Sequence, residues 1–178
     1  MKKLQNGMVM LLSIALLSAC GSGTQSSPAV NSRTIKAVIK SAALSNSGAG
    51  IAGINLSITV PAGVTPTFKA DGSVDSAATV EITSTVPGNQ ALPGATFIRA
   101  TTTAPAELAV YAIEAAGFSA SDTITIHLKV ADGTKPVAGD FKLLTFQAFT
   151  TIGALVYDML ATDTNVISLS PTLTTTIQ

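Results

Sequence analysis

Apolar and polar positions alternate most cleanly in two stretches of this chain. In residues 54–60, Ile54, Leu56, Ile58 and Val60 are separated by Asn55, Ser57 and Thr59. In residues 123–130, Ile124, Ile126, Leu128 and Val130 are separated by Thr125, His127 and Lys129. Successive strand side chains point to opposite faces, so each stretch predicts a strand with one buried and one wet face. Weaker alternation marks further strands. In residues 34–44, Val38 breaks the phase of Ile35, Ala37 and Ile39, while Lys36 and Lys40 face water. Residues 80–83 form a short candidate, residues 96–102 another around Phe97 and Ile98, and residues 141–149 a third, with Leu144, Phe146 and Ala148 on one face. Residues 107–113 suit a strand or a short helix, and their Val110-Tyr111 centre favours the strand. Residues 159–178 are either a loose tail or, through Leu173, Thr175 and Ile177, a closing strand.

Turn formers separate these stretches. They include Asn46, Gly48 and Gly50, then Pro61-Ala62-Gly63, Asp71-Gly72, the loop-like run 86–94 with Pro87, Gly88, Pro93 and Gly94, Pro105, and Asp132-Gly133. Proline cannot donate to a ladder, and Asp-Gly is a hairpin signal. Many short strands without a helical period predict an all-β chain folded as an antiparallel β-sandwich.

One apolar block has neither period. After Lys2 and Lys3, residues 8–17 are apolar except for Ser13. The block is about ten residues long, half the roughly 20 that a membrane-spanning helix needs. It suits the central region of an export signal, and the small residues Ser18 and Ala19 suit a cleavage site. Leu17, Ser18, Ala19 and Cys20 resemble the lipobox of bacterial lipoproteins. That resemblance implies a signal peptide over 1–19, cleavage before Cys20, and fatty acylation of Cys20 as the covalent membrane anchor. Two acyl signals already give stable anchoring, so a triply acylated cysteine would hold the chain on a bilayer. Gly21 stands where an aspartate would retain such lipoproteins at the inner membrane. The resemblance therefore implies an exported protein at the outer membrane or, in an organism with one membrane, at the cell surface. Residues 20–33 then form a lipidated flexible tether, rich in Gly and Ser with nothing to bury. Residues 34–178 are left as the β-sandwich domain.

Composition narrows this picture. Cys20 is the only cysteine, so no intramolecular disulfide forms and packing alone must hold the core. Removing Lys2 and Lys3 from ten basic against ten acidic residues leaves a net charge of about minus two. No basic run appears in the sequence, which argues against nucleic acid as a partner. The branched aliphatic content and low net charge argue against disorder.

The order of signals from Thr34 to about Gly153 is similar to cohesin-like domains. Residues 54–64, Ala116-Gly117-Phe118 with the strand after it, and residues 141–149 with Gly153 carry the likeness. It implies a jelly-roll sandwich of about nine strands, a form shared with some carbohydrate-binding modules. Cohesins bind dockerins, so the resemblance implies a non-catalytic domain for protein–protein recognition, with a dockerin-like or other envelope protein as partner. The alternatives are a carbohydrate-binding lipoprotein that takes a polysaccharide, or a structural envelope component.

The residues that could do chemistry are sparse. His127 is the sole histidine, on the wet face of its strand, and a zinc site would need three or four ligands. Glu81, Glu107 and Glu114 show no spacing that pairs them for glycoside cleavage, and no nucleophile elbow is present. Asp71 and Asp75, like Asp132, read as turn residues, too few for the six to eight oxygens calcium takes. These absences predict no enzyme, no metal and no cofactor beyond the lipid on Cys20. Sugar stacking needs exposed rings. With no tryptophan in the chain, Tyr111 and Phe118 are the candidate ligand contacts.

Overall fold

A computed structural model describes residues 33–42, 50–84, 91–119 and 121–178. The predicted signal peptide, Cys20 and all of the predicted tether but Arg33 lie outside the described residues. Among the described residues, ten strands and one single-turn α-helix follow in order, besides two 3-10 turns at Ala138–Asp140 and Thr162–Thr164: β1 (Thr34–Ala42), β2 (Ile51–Val60), β3 (Val64–Thr65), α1 (Ser76–Thr79), β4 (Val80–Thr83), β5 (Ala91–Ile98), β6 (Ala106–Phe118), β7 (Thr123–Val130), β8 (Leu143–Thr150), β9 (Leu155–Asp158) and β10 (Ser170–Ile177). None of the described helices is long and apolar enough to cross a membrane.

The strands form two antiparallel sheets, as the alternation predicts. Sheet A runs β10-β1-β7, and the far edge of β7 is shared by the short strands β3 and β4. Sheet B runs β5-β6-β2-β8-β9. The chain changes sheet repeatedly, so neighbours in sequence seldom pair. The core is the layer between the sheets. Sheet A supplies Ile35, Ala37 and Ile39 from β1 and Ile124, Ile126 and Leu128 from β7; sheet B supplies Leu56 and Ile58 from β2, Leu108 and Val110 from β6, and Phe146 from β8. Burying an Ile or Leu this fully is worth roughly 1.5–3 kcal/mol. Phe146 meets Tyr157 edge to face at a centroid separation of 6.1 Å, one of the favoured aromatic geometries.

Several expectations need correction. β1 alternates without a fault: Ile35, Ala37 and Ile39 are buried, and Val38 lies on the outer face beside Lys36. Pro93 and Gly94, read as loop, lie within β5, where Pro93 pairs with Ala112 and Gly94 with Tyr111. An edge strand tolerates this proline because its nitrogen can face away from the ladder. The strand expected at 96–102 starts earlier and stops at Ile98. Residues 107–113 are strand, as favoured, inside the longer β6. The end of the chain is not loose: β10 pairs with β1 along its length.

Candidate recognition face

The outer face of sheet B brings together residues that no sequence motif connects. The ladder registers set them in rows. Leu92 on β5 lies beside Ile113 on β6, which lies beside Gly53 on β2, Phe149 on β8 and Leu155 on β9. The next row holds Gly94, Tyr111, Asn55, Gln147 and Asp158. A third holds Thr96, Ala109, Ser57 and Thr145. The first row is apolar and exposed: Leu92 by 65%, Ile113 by 50% and Leu155 by 44%, with Phe149 half-buried. Isolated apolar residues on a surface need no explanation, but a contiguous row across a whole sheet does.

Glycine shapes this face at two points. Gly53 leaves a gap between Ile113 and Phe149, and a hollow of about 360 Å³ opens there, lined also by Asn55 and Tyr111. Gly94 does the opposite. Its missing side chain is replaced by the ring of Tyr111, which lies so close that any Cβ at Gly94 would overlap it. Tyr111 is nevertheless 49% exposed, so the ring rests on the β5 backbone and presents the rest of itself to solvent. A second hollow, of about 320 Å³, lies beyond the ring and shares Asn55 and Tyr111 with the first. Tyr111 is thus a ridge between two depressions.

The polar groups of the face are largely held in place. Ser57 Oγ and Thr145 Oγ1 are 2.9 Å apart. Gln147 Nε2 donates to Asp158 Oδ2 at 2.8 Å, and the Leu160 amide donates to Asp158 Oδ1 at 2.8 Å. These bonds, that from Gln147 first, hold the Asp158 carboxyl below the usual carboxylate range. The Asn55 side chain is exposed in the middle of the face. The edge of the face carries Glu107 beside Ile98.

The other candidate residues lie elsewhere. Phe118 is 8% exposed and belongs to the core, so it is no surface ring. Phe118 keeps the even-numbered phase of Leu108, Val110 and Ala112, which faces the core, while the β2–β6 register shifts: Gly53 pairs with Ile113 but Ile51 with Phe118. Gly117, within that shift, takes φ 89°. His127 sits on the outer face of sheet A, where Nε2 lies 2.9 Å from Glu81 Oε2. Both side chains are well exposed, and such pairs contribute little. The same face gathers Lys36, Lys40 and Lys129, which are scattered in sequence. Glu107 is on the outer face of sheet B, and Glu114 is fully buried on the inner side of β6. The three glutamates therefore lie apart, two on opposite outer faces and one inside, and form no facing pair.

The aspartates do backbone work. Asp71 accepts from the Ser73 amide at 2.9 Å and its hydroxyl at 2.6 Å, within the turn where Gly72 takes φ 84°. Those bonds, the hydroxyl's first, hold its carboxyl below the ordinary value. Asp75 caps α1 by accepting from the Ala78 amide. Asp132 precedes Gly133, at φ 79°, in the turn after β7. Among the described residues, no three His, Cys, Asp or Glu side chains gather as a metal site would require. No family model, curated protein or solved structure matches the chain.

Tyr111 is legible in the sequence as a candidate contact, but its surroundings are not: Leu92 lies in a loop-like run, and Gly53 and Phe149 are far from it in sequence. One signal does mark the face: Tyr111 and Ile113 are large and fall on the wet phase of a strand whose other phase is already apolar.

Proposed function

We propose that this is a lipid-anchored envelope protein whose sandwich is a non-catalytic recognition domain for a partner protein. The observation that supports the reading is the exposed row Leu92–Ile113–Gly53–Phe149–Leu155 on sheet B, with the Tyr111 ridge beside it. Protein interfaces concentrate aromatic and apolar residues at a core depleted in charge, within a polar rim. Here the apolar row is bordered by Asn55, Gln147 and hydroxyl side chains, with carboxylates only at Glu107 and Asp158. A sheet face is preorganised, so little ordering entropy opposes docking. The resemblance of the order of sequence signals to cohesin-like domains supports the same kind of role. The anchor at Cys20 and delivery to the outer membrane or cell surface rest on the lipobox resemblance.

Polysaccharide binding is the second reading, and Tyr111 favours it. An exposed ring beside the amide of Asn55, with Gln147 one strand further along the row, offers a sugar one stacking surface and polar groups to one side. A lone ring, however, gives a weak platform, whereas the apolar row extends across the sheet.

Affinity capture from envelope and secreted fractions, with the wild-type chain and Ile113→Asp as paired baits, tests the first reading. A discrete protein retained by the wild type and lost with the variant is the expected result. Equal capture by both, or none by either, removes the sheet B face as a protein-binding surface. Retardation of the wild type in polysaccharide gels, abolished by Tyr111→Ala, would favour the second reading.

A further inference from the structure

The sheet edges are unequal. The open flank of β7 is divided between the short strands β3 and β4. The β5 edge carries Pro93. The β9 edge is covered by the returning chain, since the Val166 and Ile167 amides donate to the Val156 carbonyl at 3.0 and 3.3 Å. These are the devices by which sheets avoid pairing with other chains. The β10 edge has little of them. β10 is eight residues long, has no charged side chain, and has its one proline near the start. No described strand pairs with its outer side.

The register shows what that edge presents. The Thr34 amide donates to the Gln178 carbonyl at 3.2 Å, and the Gln178 amide to the Thr34 carbonyl at 2.9 Å. In an antiparallel ladder such exchanging pairs recur at every second residue. Thr176 with Lys36, Thr174 with Val38 and Thr172 with Lys40 are therefore the pairs bonded to β1. The amides and carbonyls of Leu173, Thr175 and Ile177 then point away from the sheet. The side chains of these residues lean toward the core and stay half-buried, and Leu173 and Ile177 pack against it. The edge thus holds unused hydrogen-bonding groups beside incompletely covered apolar side chains.

We infer that β10 pairs antiparallel with β10 of a second copy of this chain, about a two-fold axis at Thr175, joining two copies of sheet A. The sequence is self-complementary in that register. Thr175 exchanges bonds with Thr175 of the second copy, and Leu173 with Ile177 of the second copy. Cross-strand contact between Leu173 and Ile177 covers their exposed flanks. On the outer face threonines meet threonines, a favourable pairing with no like charges opposed. Pro171 falls outside the paired stretch, so its missing amide costs nothing. The interface is isologous and closes at two copies. It is short, so association is modest and concentration-dependent, and it leaves the outer face of sheet B open.

Proline substitution separates this pairing from folding. Thr175→Pro removes an amide that makes no bond to β1, in the same phase as the natural Pro171. Thr174→Pro removes one that does. Sedimentation of the whole chain in detergent, over a range of concentrations, should show a monomer–dimer equilibrium. Thr175→Pro should weaken it about tenfold or more at an unchanged melting temperature, which also controls for copies that merely share a micelle. Thr174→Pro should lower the melting temperature. Thr175→Cys should form a disulfide-linked dimer on oxidation, because bonded antiparallel partners lie about 5.5 Å apart, within disulfide reach; the wild-type chain, with Cys20 alone, should not form that product. A monomer at every concentration, or unaltered association of Thr175→Pro, overturns the inference. If Thr175→Pro fails to fold, the Thr175→Cys cross-link alone decides: its formation supports the pairing and its absence overturns it.

Discussion

A methyl group added at Gly53 would meet Phe149 Cβ at 3.5 Å, an ordinary contact, whereas one added at Gly94 would collide with the Tyr111 ring. The two glycines lie on the same face and should respond oppositely. Gly53→Ala should stabilise the chain by about 0.5–1 kcal/mol, the cost glycine carries in a strand. Gly94→Ala should destabilise it and displace the ring. With no tryptophan and only Tyr111 and Tyr157, tyrosine emission during denaturation reads both effects, and equal signs for the two variants would contradict the geometry. The carboxylates give a second residue-level expectation. Asp71 and Asp158 are held below the ordinary value of 3.8 by hydrogen bonds to their charged forms. A depressed folded-state value contributes stability above the unfolded value and loses it as pH falls through the folded one. The melting temperature should therefore drop between about pH 4 and pH 2, and Asp71→Asn with Asp158→Asn should flatten that drop. A melting temperature that rises on acidification would contradict it.

At the scale of elements, β6 is the clearest test of burial by phase. Leu108 is fully buried on the inner side and Ile113 half-exposed on the outer. Leu108→Asp puts a carboxylate into the core without a partner and should cost about 4 kcal/mol or more, enough to prevent folding. Ile113→Asp should change stability by no more than about 0.5 kcal/mol in chemical denaturation. Similar losses for both would mean that the strand faces are misassigned. The strands legible in the sequence are those that alternate apolar and polar residues, above all β2 and β7, although Ser57, Thr59 and Thr125 on the expected wet faces are themselves buried under neighbouring chain. β5 was hidden because Pro93 and Gly94 look like a turn; they are there because an edge strand can carry a proline and because Tyr111 occupies the space over Gly94. Phe118 misled because it stands beside a turn, although it shares the even-numbered phase of Leu108, Val110 and Ala112, which faces the core. The candidate face on sheet B is illegible for a different reason. Its rows run across five strands, and only the pairing registers bring Leu92, Gly53 and Phe149 together.

For the whole molecule, packing between two sheets must supply the stability, because a single cysteine allows no internal cross-link. Thermal melting should be the same with and without reductant, and a shift would point to a thiol-linked species. The two outer surfaces differ in kind: sheet A carries Lys36, Lys40, Lys129 and His127, while sheet B carries the apolar row and the Tyr111 ridge. The proposed function assigns recognition to sheet B alone. A photo-activated cross-linker placed at position 113, and in parallel at position 129, tests this most directly in intact cells. The account predicts a discrete adduct with another protein from position 113 and none from position 129. No adduct from position 113, or the same adducts from both positions, would contradict it.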